Sequence, residues 1–551
     1  MRELYLDIME RALSAYDDER IADFIDRVKR DGLTEHGFPR IAANIGILMA
    51  NGRCERYFPV FCEIMDLCTE YFLKVKAANE FSVREVVCSL ALLEKRGRCP
   101  KELIEKWRER IAKINPWDCY LMIARDLETH IGNWALFGAV SEYVRLRWCG
   151  LEINDFVESQ LANQIRFVDE NGMYMDPNCP MVYDLVPRML FNSILCFGYD
   201  GVHKRAIEEI LDKGLDLELK MQSVNGEIAY GGRSSQFYHN EPLLTSIFEM
   251  EACRLAERGD FERASVCRAA AIKSAEYTRS CIFDGEFTHI KNYYDKDSFI
   301  GSEPYGYFDK YMITLASNLS FAYFFAREDI KPSVAVCDKG GYCVSTSDFF
   351  HKTFLNSSGY FLEFDTEADF HYDANGLGRV HKNGCPSQLC LSLPCPPKTE
   401  SIRLEWDNPR GMSLAVWCEN DGEILYGSEK YAKYTLLSSG DNFVEYLCDM
   451  KGVTVKARYF LSEDGVDITL EGEGRVGLVI PLFEFDGKNK VAHSFSTTGA
   501  TVEYKGCVCR YTYDESVVGD EGVFCNRNGR YRFVRAECRK IRLEMGRKDE
   551  I

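Results

Sequence analysis

The densest cluster of reactive side chains lies between Ile228 and Glu249, IAYGGRSSQFYHNEPLLTSIFE. Gly231-Gly232 opens backbone conformations closed to other residues. Arg233, His239, Asn240 and Glu241 follow, just before an apolar helical stretch whose first turn suits Pro242. Polar groups gathered at a helix N-terminus suit an anionic ligand. Arg233 could hold a carboxylate through two parallel hydrogen bonds, and His239 could move a proton near neutral pH. The plainer alternative is a glycine turn with Asn240 or Glu241 as helix caps.

Four more segments carry chemistry-bearing residues. In Glu128–Trp134, ETHIGNW, His130 and Asn133 share a helix face if the helix includes both, and Trp134 offers a flat surface on which a sugar stacks. An N-cap Asn beside a buried Trp is the alternative. In Asn171–Arg188 a turn-rich loop leads into a helix, with Asp176, Tyr183, Asp184 and Arg188 able to face a pocket. Asp176-Pro177-Asn178 could equally be an Asx turn. Lys291–Asn318 holds five tyrosines, Tyr293, Tyr294, Tyr305, Tyr307 and Tyr311, with Lys310 among them. A phenol donates a proton to a leaving oxygen, or accepts one when cations such as Lys310 and Arg233 lower its pKa. His371–Cys390 brings His371, Arg379, His381 and Lys382 into a Gly- and Asn-rich stretch, read either as a loop leaning over the site or as a surface hairpin.

These segments need a scaffold of ordinary globular composition. The chain has 551 residues, 46% hydrophobic and 28% charged, enough to bury a core without disulfides. Its net charge of -19 argues against a nucleic-acid partner, which needs a basic footprint. The 23 cysteines lack the spacing of a secreted disulfide framework and form no zinc-type cluster, so reduced thiols and no metal or cofactor are expected. The charged, amphipathic N-terminus does not read as a signal peptide, and no apolar run is long enough to span a membrane. A cytoplasmic protein is the expectation.

The chain changes texture once. Up to about residue 330 the apolar spacing is helical: Leu4, Ile8, Met9 and Leu13 share one face, and similar stretches recur near 40–50, 56–75, 82–96, 101–113, 131–148, 152–168, 181–197, 203–213, 240–257, 261–280 and 306–325. About twelve helices paired at roughly 50-residue spacing suit six hairpins closed in a ring. After about 335 short alternating runs appear: Gly359–Phe364, Ser413–Trp417, Phe443–Leu447, Val453–Phe460 and Val466–Leu470. Turn signals such as Asn528-Gly529 separate them. The expected fold is a helical toroid over residues 1–330 followed by an antiparallel β-sandwich over 335–551, joined near Arg327–Ser333.

With GGRSSQFYHNE, the Tyr-rich YGYFDKY helix and the GLGRVHKNGCPSQ loop in view, the chain resembles the toroid-plus-sandwich polysaccharide lyases and heparinase II/III-like proteins. The resemblance implies cleavage of a glycosidic bond by β-elimination beside a uronic acid. An Asn, Arg or His neutralises the carboxylate, a Tyr or His removes the neighbouring proton, and a Tyr protonates the leaving oxygen. By residue type the clamp is supplied by Asn133, Arg233, His239 and Asn240, and the proton donor or base by Tyr305 or Tyr307. The family's Asn-His order is reversed here, His239-Asn240. Trp134, His130, Tyr183 and His381 are further candidates for binding an acidic oligosaccharide, with exo-type action expected on imported short chains. A glycoside hydrolase would need two carboxyl groups, for which Asp184 and Glu241 are the pair. A non-catalytic carbohydrate-binding protein is the third reading. Oligomeric state is not legible.

Overall fold

The computed structural model describes residues 1–283 and 288–550. Among them are thirteen helices of ten or more residues, all before Ala326, followed by antiparallel sheets. Six helices are buried nearly all round: Gly37–Ala50, Asn79–Arg96, Trp134–Cys149, Val182–Cys196, Asn240–Glu257 and Phe308–Phe325. Each packs on the next, and the last packs on the first, so they close an inner ring. An outer layer comprises Phe58–Tyr71, Lys101–Ile111, Asp155–Gln164, Lys204–Met221 and Phe261–Phe283, each packed against an inner neighbour. The N-terminal helix Arg2–Leu13 completes it by packing on Phe308–Phe325. Tyr5 donates a buried hydrogen bond to Glu249, which also pairs with Arg268 at 2.8 Å, tying this closure to the inner wall.

Alternation of inner and outer helices places every inner N-terminus at the same mouth of the ring. The helix Asp18–Asp31 is absent from the twelve expected, because charged residues dominate it. Its buried residues nevertheless fall at i, i+3, i+4 and i+7: Ile21, Phe24, Ile25 and Val28. It braces the mouth, since Arg20 and Arg27 both pair with Asp309 (2.5 and 2.7 Å) in the first turn of the last inner helix.

The strands form the expected antiparallel β-sandwich, with a third sheet beside it. An eight-stranded sheet and a five-stranded sheet share one core, which includes Tyr446, Val455, Leu478, Ile480 and Phe533. The alternating burial of Phe443–Met450 and Val453–Ser462 marks the eight-stranded sheet as open to water on its outer face. A four-stranded sheet of consecutive strands, Tyr342–Ser345, Lys352–Ser357, Tyr360–Asp365 and Gly376–Lys382, lies between this sandwich and the ring. Leu355 and Leu362 face the sandwich, while Phe354 and Phe361 face Met173, Met181 and Met221 of the ring. The strand expected at Ser413–Trp417 is shifted and runs over Val416–Asn420. No helix among the described residues is long and apolar enough to cross a membrane.

Sheet and ring meet closely at Tyr230. A Cβ at Gly378 would lie 2.0 Å from its hydroxyl oxygen. Gly378→Ala is therefore expected to displace Tyr230 and lower stability by about 1–3 kcal/mol in urea unfolding, the usual range for an overpacked core.

Candidate functional site

The GGRSS turn is held in place from both sides. Gly231 and Gly232 have φ of 141° and 67°, and a Cβ at Gly232 would come within 2.9 Å of Pro180. No other residue fits there. Gly232 donates its N–H to Asp373 (2.7 Å), whose carboxyl burial pushes up to about 7. Ser234 is left-handed without being glycine (φ 59°). Its N–H donates to Glu303 at 2.6 Å, and Glu303 pairs with Arg527 at 2.7 Å. Arg527 lies in the hairpin Asn526–Gly529 of the five-stranded sheet, which reaches into the mouth. Asn528 there donates to Gln236 and to the Lys291 carbonyl (3.0 and 2.8 Å).

On this support three hydroxyls line up. The Ser234 hydroxyl lies 2.9 Å from the Tyr183 phenol and 3.0 Å from the Tyr305 phenol. The Arg233 guanidinium sits 4.4 Å over the Tyr183 ring and pairs with buried Asp176. Asp176 also accepts from the Asn133 backbone and side chain (3.1 and 3.2 Å). Burial raises the Asp176 carboxyl despite Arg233 and Asn133, and raises both phenols. Tyr183 is drawn back by Arg233, whereas Tyr305 feels Tyr183 and Glu303 as further upward pushes.

Aromatic walls flank the hydroxyls. His239 packs in a three-ring cluster with Phe237 and Tyr311 (5.4 and 5.1 Å between centroids), which are themselves 4.8 Å apart. Burial lowers it to about 3, so it is neutral, and neither ring nitrogen has a hydrogen-bond partner among the described residues. Opposite, His36 stacks on Phe81 (5.0 Å), and Phe81 meets the edge of Trp134 (4.8 Å). His36 and Tyr311 link the two walls at 6.3 Å. Lys310 lies 4.9–5.6 Å from the rings of Tyr311, Tyr305 and Tyr307, with no ion pair among the described residues. Burial lowers its ammonium to about 8.

The structure thus brings together Asn133, Trp134, Tyr183, Arg233, His239 and Tyr305. Tyr307 caps the last inner helix and is half exposed, at 51%. Others lie elsewhere. His130 stacks on Phe167 (3.8 Å) and contacts the Tyr174 hydroxyl (3.1 Å). Asn240 donates to the Ser234 carbonyl (3.1 Å) and so ties the turn to its helix from behind. His381 is on a buried strand between Ser223 and Ser392 (3.1 Å each), neither over the mouth nor on a surface hairpin. His371 is exposed and bound to Asp369. The carboxylate pair has no open face. Asp184 is buried and accepts the Tyr174 N–H (2.6 Å). Glu241 is buried in an ion cluster with Lys291 (2.7 Å) and Glu227. Arg188 is buried against Glu218 and Glu251.

Sequence reasoning missed Ser234, His36, Phe81, Glu303 and Arg527. His36 had a signal: His36-Gly37-Phe38-Pro39 repeats the His-x-x-Pro of His239-Asn240-Glu241-Pro242, and both histidines precede an inner helix. Among the described residues no group of three or more His, Cys, Asp or Glu is arranged to hold a metal ion.

No family model matches the chain, and no curated protein matches its sequence. Similarities to solved structures are found at low identity. The chain is similar to heparinase III at 10% identity and a TM-score of 0.45, over 93% of this chain and 73% of that one. It is similar to a mutant chondroitin AC lyase of Streptomyces coelicolor A3 at 11% identity and 0.45, over 99% and 79%. A heparan sulfate lyase mutant from Pedobacter heparinus matches at 11% and 0.43, over 91% and 75%.

The Arg233–Asp176 pair is asymmetric. Arg233→Met leaves a fully buried carboxylate without its countercharge and is expected to cost about 3–5 kcal/mol. Asp176→Asn leaves an arginine whose side chain is 33% exposed to water, so the loss should be about 1–2 kcal/mol. Denaturant unfolding of both variants checks the order.

Proposed function

We propose that this chain cleaves acidic oligosaccharides by β-elimination, with the mouth of the helical ring as the active site. The observation that carries the reading is Ser234 bridging Tyr183 and Tyr305 beside the Arg233 guanidinium. A uronate carboxylate docks on the open edge of Arg233, which Asp176 and the buried Asn133 hold in place, within the positive ends of the inner helices. Neutralising that carboxylate acidifies the adjacent C–H, because the charge developing in the transition state meets fixed donors. Sugar rings lie against Trp134 and Phe81 on one side and the His239–Tyr311 stack on the other.

The raised pKa values of both phenols favour a relay in which each stays neutral. The carbon-bound proton passes to the Tyr183 oxygen while the Tyr183 hydroxyl proton moves to Ser234. The Ser234 proton moves to Tyr305, and the Tyr305 proton goes to the leaving oxygen. One C–H and one C–O bond break, one C=C and one O–H bond form, and no water is consumed. The hydrolytic alternative loses support because Asp184 and Glu241 are both committed to buried partners.

Incubation with uronate-containing oligosaccharides is expected to raise ultraviolet absorbance as an unsaturated product accumulates. Cleavage with uptake of labelled water oxygen and no such absorbance would refute elimination. Ser234→Ala, Tyr183→Phe and Tyr305→Phe should each lower kcat by about 10²–10⁴, the range for loss of a positioned proton carrier, with KM little changed.

Substrate binding should also depend on pH through Lys310. Its ammonium is charged below about 8 and adds to the attraction for a carboxylate; above that pH the charge is lost. KM is therefore expected to rise as pH increases through about 8. Lys310→Met should give the higher KM at all pH values and flatten that limb.

A further inference from the structure

A second constellation lies outside the mouth, where the loop before Val182–Cys196 meets the four-stranded sheet. The Cys179 sulfur is 3.5 Å from His351 Nε2, and His351 Nδ1 is 2.8 Å from Asp365 Oδ1. The three residues come from separate parts of the chain: the 176–180 loop, the turn before Lys352–Ser357, and the end of Tyr360–Asp365. The order thiol, imidazole, carboxylate is that of an activated nucleophile, its base and the group that orients the base. Asp365 is buried. Burial raises its carboxyl, but Lys352 at 3.0 Å and His351 outweigh that and hold it below the usual range, so it is ionised. An ionised Asp365 fixes the His351 tautomer, with Nδ1–H donated to the carboxylate and Nε2 left to accept from the thiol.

Two further features mark the site. Cys179 and His351 both have left-handed backbones, with φ of 45° and 44°, in residues that rarely adopt them. Both are also partly open to solvent, beside exposed Pro177 and Asn178, whereas most of the other cysteines are buried. Burial and nearby Asp365 and Asp369 push the Cys179 thiol up to about 12. Cys179 therefore rests as a thiol, and its activation requires a general base.

We propose that Cys179, His351 and Asp365 form a nucleophilic thiol centre that takes small acyl groups from carboxylic esters. The Cys179 sulfur attacks the ester carbonyl carbon as its proton moves to His351 Nε2. The tetrahedral adduct then expels the alcohol, which takes that proton. Water attacks the resulting thioester, giving its proton to His351, and the thiol leaves and is reprotonated. The sum is ester plus water giving acid plus alcohol. The site is only partly open to solvent at Cys179 and His351, which favours small acyl groups. It lies three residues along the loop from Asp176, so an O-acylated sugar held at the mouth is the kind of molecule that would present one.

The test uses the full chain and p-nitrophenyl acetate. The expected result is a stoichiometric burst of p-nitrophenolate and a single acetyl group mapped by mass spectrometry to the Cys179 peptide. Cys179→Ser should abolish both with an unchanged melting temperature. His351→Gln should slow acylation about a hundredfold, the scale of a lost general base. Uronate elimination should persist in Cys179→Ser, which keeps this proposal separate from the lyase reading. Acetylation spread over other cysteines at the rate of Cys179, or an undiminished rate in His351→Gln, would overturn it.

Discussion

The buried pair between Glu303 and Arg527 is the interaction on which the candidate site depends. Glu303 has two tasks: it accepts the Ser234 N–H at 2.6 Å and neutralises Arg527 at 2.7 Å. Without Arg527 the carboxylate would be an unpaired charge almost out of reach of water, a state strongly disfavoured in a protein interior. Without Glu303 the Ser234 N–H would lose its partner, and the left-handed backbone that points the hydroxyl at two phenols would lose its support. The sheet hairpin is thus a structural part of the ring's mouth. Arg527 also donates to the Gly301 carbonyl (2.9 Å), and Asn292 donates to the Arg527 carbonyl (2.8 Å), so the hairpin tip is tied to the 292–301 loop through both its side chain and its backbone.

This arrangement also explains how a strongly acidic chain could attract an anion. The net charge of -19 is spread over the whole molecule, and at physiological salt such charges are screened beyond about 8 Å. The mouth has its own local field. Arg233 and Lys310 face it, and six helix N-termini surround it. Arg40 adds little, since Glu85 holds it at 2.8 and 3.0 Å.

The fold class was legible in the sequence because inner helices and strands carry different apolar periods. The helix Asp18–Asp31 escaped because its narrow apolar stripe is diluted by charge. The Ile228–Glu249 cluster was legible as a candidate site because two glycines, an arginine and a histidine lie close together in the sequence. The roles inside it were less so. Asn240, His381 and Glu241 have the residue types of a site, yet each faces inward, and residue type does not encode direction. Glu303 and Arg527 lie 224 positions apart, so nothing local in either segment signals the pair. Ser234 reads as an ordinary turn residue until its φ is known.

What the buried charges leave free bears on the proposed chemistry. Hydrolysis of a glycosidic bond needs two carboxyl groups with open faces. Around this mouth each carboxylate already has a structural role. Asp176 holds Arg233 and Asn133, Glu303 holds Ser234 and Arg527, and Glu35 accepts the N–H groups of Gly37 and Phe38 (2.5 and 3.2 Å) at the start of an inner helix. Moving any of them toward a substrate would strand a buried partner. The groups able to pass a proton without leaving an unpaired charge behind are the hydroxyls of Tyr183, Ser234 and Tyr305, because each both donates and accepts. A chain of hydroxyls transfers protons without separating charge, which suits elimination, where one proton leaves carbon and one reaches the departing oxygen. The same carboxylates that fix the mouth therefore favour a proton relay over a pair of acids.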